Sequence, residues 1–278
     1  MNKTVRYMIY AIITVVCILA IFAGVYVVVF KNQTVGNVTN GQDETNTSTE
    51  DPQFQVKNEF KELFQNYFVA SNYKATNIKK LIEDKDLVYE DITYKETQNG
   101  NLDLHIPVIN IQSEIIDRYN KTTQSIFVEK ANEILQDKEV MKNTIYSVSF
   151  TSYINNDILS VAIMANLKEG QKAQKTMLQT YNYNLLTGEE VTINDIIKSR
   201  GLDVNVINKK IADEVKKAND DALGIASSGY EVYKRDLNSD IYKVQNGAIF
   251  IQGPNGELYI VYPYGNVEYT TEMDVIQI

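Results

Sequence analysis

The chain has 278 residues, 44% of them hydrophobic, and a formal net charge of −9. Residues 1–31 contain three basic and no acidic side chains, so the remainder holds 24 basic and 36 acidic ones and carries −12. This charge argues against the binding of nucleic acid or anionic lipid by electrostatics, and it permits a cationic partner. The commoner reason for such a surface is solubility alone.

The most apolar stretch is residues 7–30, an uncharged run that reads YMIYAIITVVCILAIFAGVYVVVF. As a helix it would be about 36 Å long, and would cross a hydrocarbon core of about 30 Å. The alternative is a cleaved signal peptide, whose apolar region spans about 7–15 residues and ends in an A-x-A-like site. This run is longer, and Ala20 and Ala23 lie too far apart for that site. We therefore predict an uncleaved, single-pass transmembrane helix.

The basic flank sets the expected orientation of this helix. Lys3 and Arg6 precede the run, whereas Lys31 is followed by an acidic region. The positive-inside rule then predicts a cytoplasmic stub of residues 1–6 and places everything after Lys31 outside the cell membrane. The one cysteine, Cys17, lies within the membrane run, so the outer part forms no internal disulfide, which fits a Gram-positive bacterial surface.

Two segments separate the membrane helix from the first predicted strand. Residues 31–53 are rich in Asn, Thr, Gln, Asp and Glu, which predicts a flexible linker. Residues 54–84 are predicted as an amphipathic helical segment, with an apolar stripe formed by Phe60, Leu63, Phe64, Tyr67 and Phe68. Docking of this stripe onto the outer domain is favoured over membrane contact or chain pairing, because the polar face of the helix is not basic.

Strand and helix patterns then alternate through a first predicted module, residues 85–172. Residues 87–97 and 102–108 predict a hairpin closed by Asn99-Gly100, with Pro107 marking an edge or the strand end. An apolar period of 3.6 residues over 111–136 predicts a long amphipathic helix. Its inward face is expected to carry Ile115, Tyr119, Ile126, Ala131 and Ile134, helped by Ile116 and Phe127.

A second module is predicted for residues 173–278. Alternation at 144–153, 158–166 and 176–185 predicts three strands, the last of which opens this module. Thr192 and Asp195 have the spacing of a capping box and predict a short helix that ends by Gly201.

The rest of the second module is a helix followed by strands. Residues 204–218 predict a helix with Val204, Ile207, Ile211 and Val215 inward, before a looser stretch at 224–229. Strands at 248–252, 257–262 and 273–278 close the chain. The expected fold class is α+β, with two tandem modules of mostly antiparallel sheets and helices packed on one face of each.

Catalytic chemistry has little support in this sequence. His105 is the only histidine and alternates with the apolar positions of its strand, so we expect it at the surface, outside any catalytic triad. Zinc sites of the His/Cys type, phosphate-binding loops and calcium loops have no matching spacing. The carboxylate pairs point apart when they are adjacent on a strand or helix, so we interpret them as surface charge: Glu189-Glu190, Asp213-Glu214 and Asp220-Asp221. We predict no catalytic residue, no metal site and no cofactor.

Tyrosine is the unusual component, with 19 residues against no tryptophan. Tyr181-x-Tyr183, Tyr230-x-x-Tyr233, Tyr262-Pro-Tyr264 and Tyr269 lie near predicted strand ends or loops. Tyrosine offers rigid amphipathic contact area for protein partners and can stack on sugar rings, although packing within a sheet is the more common role. The predicted binding residues are Tyr262, Tyr264 and Tyr269.

Several segments resemble the extracytoplasmic PdaC/RsiV-like family. YNYNLLTGEEVTINDII at 181–197 is similar to the family's strand–turn–helix. IFIQGPNGELYIVYPYGNVEYTTEMDVIQI at 249–278 is similar to its closing hairpin, aromatic-Pro-Tyr segment and last strand. HIPVI at 105–109, followed by a long helix, resembles its first module. The likeness spans roughly residues 85–278 in the right order.

This resemblance implies two α+β modules outside a bacterial membrane. Some members of the family are peptidoglycan deacetylases with a further catalytic domain, and another is an anti-sigma factor whose outer part binds lysozyme. The present sequence departs from both, because it shows no deacetylase domain with metal-binding histidines and its six-residue stub cannot hold a sigma factor. The outer domain and a binding role are what the resemblance implies here.

We therefore expect a non-catalytic binding or sensing domain anchored in the cell membrane. The expected partner is a cationic, lysozyme-like protein or, next, a cell-wall glycan, and no nucleic acid. The alternatives are an accessory factor that packs on membrane or wall-synthesis machinery through the Phe60 stripe, and an unrecognised wall hydrolase.

Overall fold

The structure is a computed structural model, and it describes residues 52–70, 73–98, 100–247, 249–266 and 268–278. The predicted cytoplasmic stub, the membrane run and nearly all of the predicted linker lie outside the described residues. Among the helices in the described ranges, none is long and apolar enough to cross a membrane.

The first sheet has six strands and forms the larger part of the fold. Its main path runs β2-β3-β4-β5-β6, with β3 and β4 parallel and the other neighbours antiparallel. A short strand, β1, pairs in parallel with β4 on the edge that β3 leaves free. The strands are Tyr67–Ala70 (β1), Val88–Glu96 (β2), Asn101–Ile109 (β3), Thr144–Asn155 (β4), Ile158–Glu169 (β5) and Lys175–Asn184 (β6).

Turn chemistry explains how these strands connect. The tight turn between β4 and β5 places Asn156 and Asp157 at φ of 49° and 60°, a left-handed conformation that asparagine and aspartate tolerate better than other side chains. Pro107 lies in the part of β3 that β4 does not pair with, so its missing N–H leaves no gap in that ladder. The predicted hairpin and the three following strands are confirmed.

The long helix packs on one face of the first sheet. It comprises α2 (Glu114–Thr123), one π-helical turn (Gln124–Val128) and α3 (Glu129–Gln136), and a short helix, α4 (Lys138–Lys142), follows it. The buried face carries Ile116, Tyr119, Thr123, Phe127, Ala131 and Ile134. Ile115 and Ile126 are only half-buried. The predicted phase was therefore wrong at these two positions, which lie at the margin of a face centred on Ile116 and Phe127.

The second sheet has three antiparallel strands in the order β7-β8-β9. Two helices accompany it, α5 (Ile193–Ser199), opened by the predicted Thr192–Asp195 capping box, and α6 (Val204–Ala226). The strands are Phe250–Gln252 (β7), Leu258–Tyr264 (β8) and Glu272–Gln277 (β9). Ile207, Ile211 and Val215 are buried as predicted.

The second helix differs from its prediction at both ends. Val204 is 37% exposed, since it is the first helical residue after the N-cap Asp203 and lies ahead of the packed turns. At the other end, the helix continues through Gly224 to Ala226 and includes the start of the stretch that we predicted to be looser.

The predicted apolar stripe splits into a helix and a strand. The helix, α1 (Pro52–Glu62), ends before Tyr67 and Phe68, which belong to β1. Asn66 adopts a φ of 57°, and its side chain accepts a hydrogen bond from the Phe150 N–H at 3.0 Å, so the chain turns onto the free edge of β4. A single helical stripe was therefore wrong.

The helical part of that stripe docks on the outer domain. Phe60 is fully buried, and its ring lies 5.5 Å from that of Tyr259 on β8. Both belong to a third apolar cluster that also takes side chains from β4, β5 and β9, so α1 bridges the two sheets. This confirms the predicted docking.

The architecture is α+β, rich in antiparallel pairing. The first sheet carries α2 and α3 on one face, and its other face contributes to the cluster that α1 and the second sheet share. The described residues belong to one compact unit. β6, which follows the predicted module boundary at residue 172, is a strand of the first sheet. The division into two modules stays a prediction.

Candidate binding cleft

The largest of the described cavities is an open cleft of about 670 Å³ beside the second sheet. Its floor is β9, of which three consecutive residues, Met273, Asp274 and Val275, line the space. The walls come from the C-terminal half of α6, the segment 231–235, the loop 268–270 and Lys57 of α1. A cavity of this size is in the range of sites for small ligands or for an inserted protein segment.

A buried ion pair closes the floor of the cleft. Arg235 donates from Nε to Asp274 Oδ2 at 2.6 Å and from Nη2 to Oδ1 at 2.8 Å, and both side chains are only 4% exposed. Its Nη1 also donates to the Ala218 carbonyl oxygen at 3.3 Å, and its backbone N–H donates to Asn219 Oδ1 at 3.1 Å. This two-pronged pairing fixes the segment around Arg235 against both α6 and β9.

The electrostatics of this pair favour the charged state of the arginine. Burial by itself lowers the pKa of Arg235, but the hydrogen bonds and the charge of Asp274 outweigh that effect and raise the pKa above its usual value. The guanidinium therefore stays charged and is neutralised locally by Asp274.

Three tyrosine rings stand together above the ion pair. The Arg235 Cζ atom lies 3.9 Å from the centroid of the Tyr264 ring, a cation–π contact. Tyr233 stacks near Tyr264 at 6.0 Å and 25°, and its ring meets that of Tyr269 edge-on at 6.2 Å and 70°. These are the preferred offset and T-shaped arrangements of aromatic pairs. Burial raises the pKa of Tyr264, so its hydroxyl remains neutral.

The rim of the cleft is acidic. Asp221, Glu231 and Glu268 line it, are exposed, and make no ion pair with a residue that the structure describes. The lining cations are both already engaged, since Arg235 pairs with Asp274 and Lys57 Nζ pairs with Glu272 at 2.8 Å. The cleft therefore offers aromatic surface and uncompensated negative charge.

An exposed apolar margin extends the cleft onto the surface. Ile225 lines the cleft and is 57% exposed, and Tyr230, on the segment that leads from α6 to Tyr233, is 69% exposed. Gly229, at φ 92°, allows the chain to reverse after α6 and return toward the cleft. Aromatic and aliphatic side chains around an acidic cleft are typical of a surface that contacts a protein.

The three predicted binding tyrosines have different fates. Tyr264 and Tyr269 line the cleft. Tyr262 is 4% exposed and packs in the core against Tyr242, at 5.4 Å between ring centroids, so it does not reach the surface in this structure. Burial also raises the pKa of Tyr262.

The predicted site residues did not include Tyr233, Arg235 and the rim carboxylates. The Tyr230-x-x-Tyr233 spacing is a signal in the sequence for the first of these. Nothing local marks Arg235, because its role depends on a partner on β9 that lies 39 residues away.

The other candidate residues do not assemble into a second site. His105 is half-buried, where we expected a surface residue, with Nδ1 3.0 Å from Glu90 Oε1 and Nε2 3.2 Å from Asp103 Oδ1. Glu190 pairs with Arg118 at 2.9 Å across the surface. Within the described ranges, no group of three or more His, Cys, Asp or Glu side chains is arranged to hold a metal ion.

Comparisons with known proteins give distant structural matches. No protein-family model matches the sequence, and no curated protein matches it. Two similar solved structures are DUF3298 family proteins. The one from Pseudomonas aeruginosa PAO1 has a TM-score of 0.35 and 8% identity, over 67% of this chain and 86% of that one. The one from Bacteroides fragilis NCTC 9343 has a TM-score of 0.35 and 12% identity, over 73% and 92%. These similarities are too low to carry an argument about function.

Proposed function

We propose that this protein is a membrane-anchored, extracytoplasmic binding domain without catalytic activity, and that the aromatic cleft receives a cationic protein. The observation that carries the proposal is the cleft itself, where Tyr233, Tyr264 and Tyr269 stand beside three unpaired rim carboxylates. In this proposal residues 7–30 span the membrane, and the outer domain belongs to the PdaC/RsiV-like group on the strength of its motifs.

Charge and aromatic surface have separate roles in such an interface. The net charge of −9 steers a basic partner toward the domain and raises the association rate at low salt. Desolvated aromatic anchors then determine how long the complex lasts. A cationic lysozyme is the proposed partner class, because the family resemblance includes a lysozyme-binding member and the rim is acidic.

The proposal is tested with the 278-residue chain in detergent micelles and a cationic lysozyme as the soluble partner. We expect binding whose association rate falls steeply as salt rises. Tyr269→Ala should weaken the complex by about 2 kcal/mol, or roughly thirtyfold, because an interface anchor typically costs this much. Surface plasmon resonance over a series of salt concentrations measures both quantities.

The matched control is Tyr73→Ala, a tyrosine that is 38% exposed and does not line the cleft. We expect this variant to bind as the unchanged protein does. If lysozyme failed to bind at low salt, the proposed partner would be wrong, and binding of a cell-wall glycan by the same protein would then favour the glycan alternative.

A further inference from the structure

The rings of the cleft are not equally available to a ligand. Tyr264 already carries the Arg235 guanidinium at 3.9 Å, so the protein itself supplies the cation for that ring. Tyr233 and Tyr269 are half-buried and carry no cation from any residue in the described ranges. A ligand that enters the cleft therefore meets the rings of Tyr233 and Tyr269, with Tyr264 behind them.

The charges of the cleft are equally selective. Asp274 is saturated by the two hydrogen bonds from Arg235, and Lys57 is neutralised by Glu272. The negative charge that remains belongs to Asp221, Glu231 and Glu268 at the rim. An anionic group would be repelled there, and a neutral sugar would leave this charge uncompensated. A cation satisfies both the carboxylates and the faces of the rings.

The shape of the cleft sets the size of the group. The volume of about 670 Å³ exceeds that of one side chain and leaves room for the backbone that carries it. The apolar lining of Ala218, Ala222 and Ile225 along α6 suits the methylene stem of a long basic side chain, whose charged end can reach the rim or the rings.

We infer that the cleft binds a lysine or arginine side chain of the partner, with Tyr233 and Tyr269 as its aromatic contacts and Asp221, Glu231 and Glu268 as its counter-charges. This inference rests on the proposed function in one respect, that the partner is a protein. It assigns specificity to Tyr233, and it assigns Tyr264 and the Arg235–Asp274 pair to positioning the rings.

Small probes test this inference without the protein partner. N-acetyl-arginine methylamide and N-acetyl-lysine methylamide carry the two cationic groups. N-acetyl-norleucine methylamide has a similar aliphatic stem and no charge, and an N-acetylglucosamine disaccharide represents the glycan. Each probe is titrated into the 278-residue chain in micelles, with tyrosine rings isotope-labelled for NMR and assigned by substitution.

We expect both cationic probes to shift the ring signals of Tyr233 and Tyr269, and the norleucine probe to bind at least about tenfold more weakly, which corresponds to about 1.4 kcal/mol. Tyr233→Ala should weaken the cationic probes by about tenfold, within the usual range of a partly desolvated cation–π contact. Tyr230→Ala, an exposed tyrosine three residues away that does not line the cleft, should leave them unchanged. Glu231→Gln should weaken them, whereas Glu83→Gln, at an exposed carboxylate elsewhere, should not.

The inference is overturned if the norleucine and lysine probes bind equally, or if the disaccharide alone shifts these rings. Should Tyr233→Ala fail to fold, ring shifts in the unsubstituted protein decide the question by themselves. Lysozyme binding without any effect of the cationic probes would retain the proposed function and reject this inference. Cationic probes that bind in the cleft while lysozyme does not would retain the inference and reject lysozyme as the partner.

Discussion

At the scale of single residues, the Arg235–Asp274 pair is the feature that shapes the cleft. Its two charges are almost fully buried, and each satisfies the other through two hydrogen bonds. Loss of one partner leaves an uncompensated charge in the interior, which is far more costly than loss of both. The pair therefore ties the segment that carries Tyr233 to the edge of the second sheet.

Asp274→Ala is expected to destabilise the protein by about 3–5 kcal/mol, because Arg235 would remain buried without its carboxylate. Urea denaturation measures the change in the free energy of unfolding. Asp240→Ala is the control, since its carboxylate pairs with Lys243 at the surface and its loss should change stability by less than about 0.5 kcal/mol. A double variant, Arg235→Met with Asp274→Leu, should recover much of the loss. Similar midpoints for the two single variants would contradict a structural role for the buried pair.

At the scale of elements, the long helix shows how a small change of phase alters which side chains matter. The sequence pattern places both Ile126 and Phe127 near the apolar face, and only packing against the first sheet distinguishes them. Phe127 is fully buried, while Ile126 is half-buried and lies within the π-helical turn. A π turn holds one residue more than an α turn does, so it shifts the face that follows it.

Phe127→Ala is expected to cost about 3–5 kcal/mol, since it removes a large ring from a close-packed core. Ile126→Ala should cost clearly less, because part of its side chain is already in water. Lys121→Ala, on the exposed face where the lysine pairs with Asp117, should change stability by no more than about 0.5 kcal/mol. Thermal or urea unfolding of the three variants gives the order. A larger loss for Ile126→Ala than for Phe127→Ala would show that the helix packs in a different phase.

At the scale of the whole molecule, tyrosine burial links stability to alkaline pH. Burial raises the pKa of six tyrosines, to about 12 for Tyr181 and Tyr242. The others are Tyr119, Tyr146, Tyr153 and Tyr262. In the unfolded chain these phenols ionise near pH 10, so above that pH the folded state holds more protons than the unfolded one. Their contribution to stability is complete below about pH 10 and is lost as pH rises through the raised values.

We therefore expect the free energy of unfolding to fall between about pH 9 and about pH 12. Urea denaturation at fixed pH values measures it. Phenolate absorbance should show some tyrosines ionising in the folded protein and the buried set ionising only as the chain unfolds. Ionisation of all 19 tyrosines in one step near pH 10, with the fold intact, would contradict this expectation.

Local patterns in the sequence were sufficient to predict most of the elements. Two-residue alternation predicted the strands of both sheets, Asn156-Asp157 predicted the tight turn, and the Thr192–Asp195 spacing predicted a capping box that the structure contains. These succeed because a turn, a cap or an amphipathic face depends on residues a few positions apart. The single stripe from Phe60 to Phe68 failed, because the free edge of β4 is a long-range feature that draws Tyr67 and Phe68 into a strand.

The cleft was decided by tertiary structure alone. Tyr262 and Tyr264 point to the same face of β8, since side chains alternate with a period of two, yet only the second reaches the cleft. The difference arises from what covers each one, because Tyr242 packs on Tyr262 while Tyr264 lies at the strand end beside Arg235. Likewise Lys57 and Glu272 are 215 residues apart and meet only because α1 docks beside β9. The sequence by itself determined the elements and a surplus of tyrosine and acidic charge, whereas the long-range packing of α1, α6 and β9 determined which of those residues share one site.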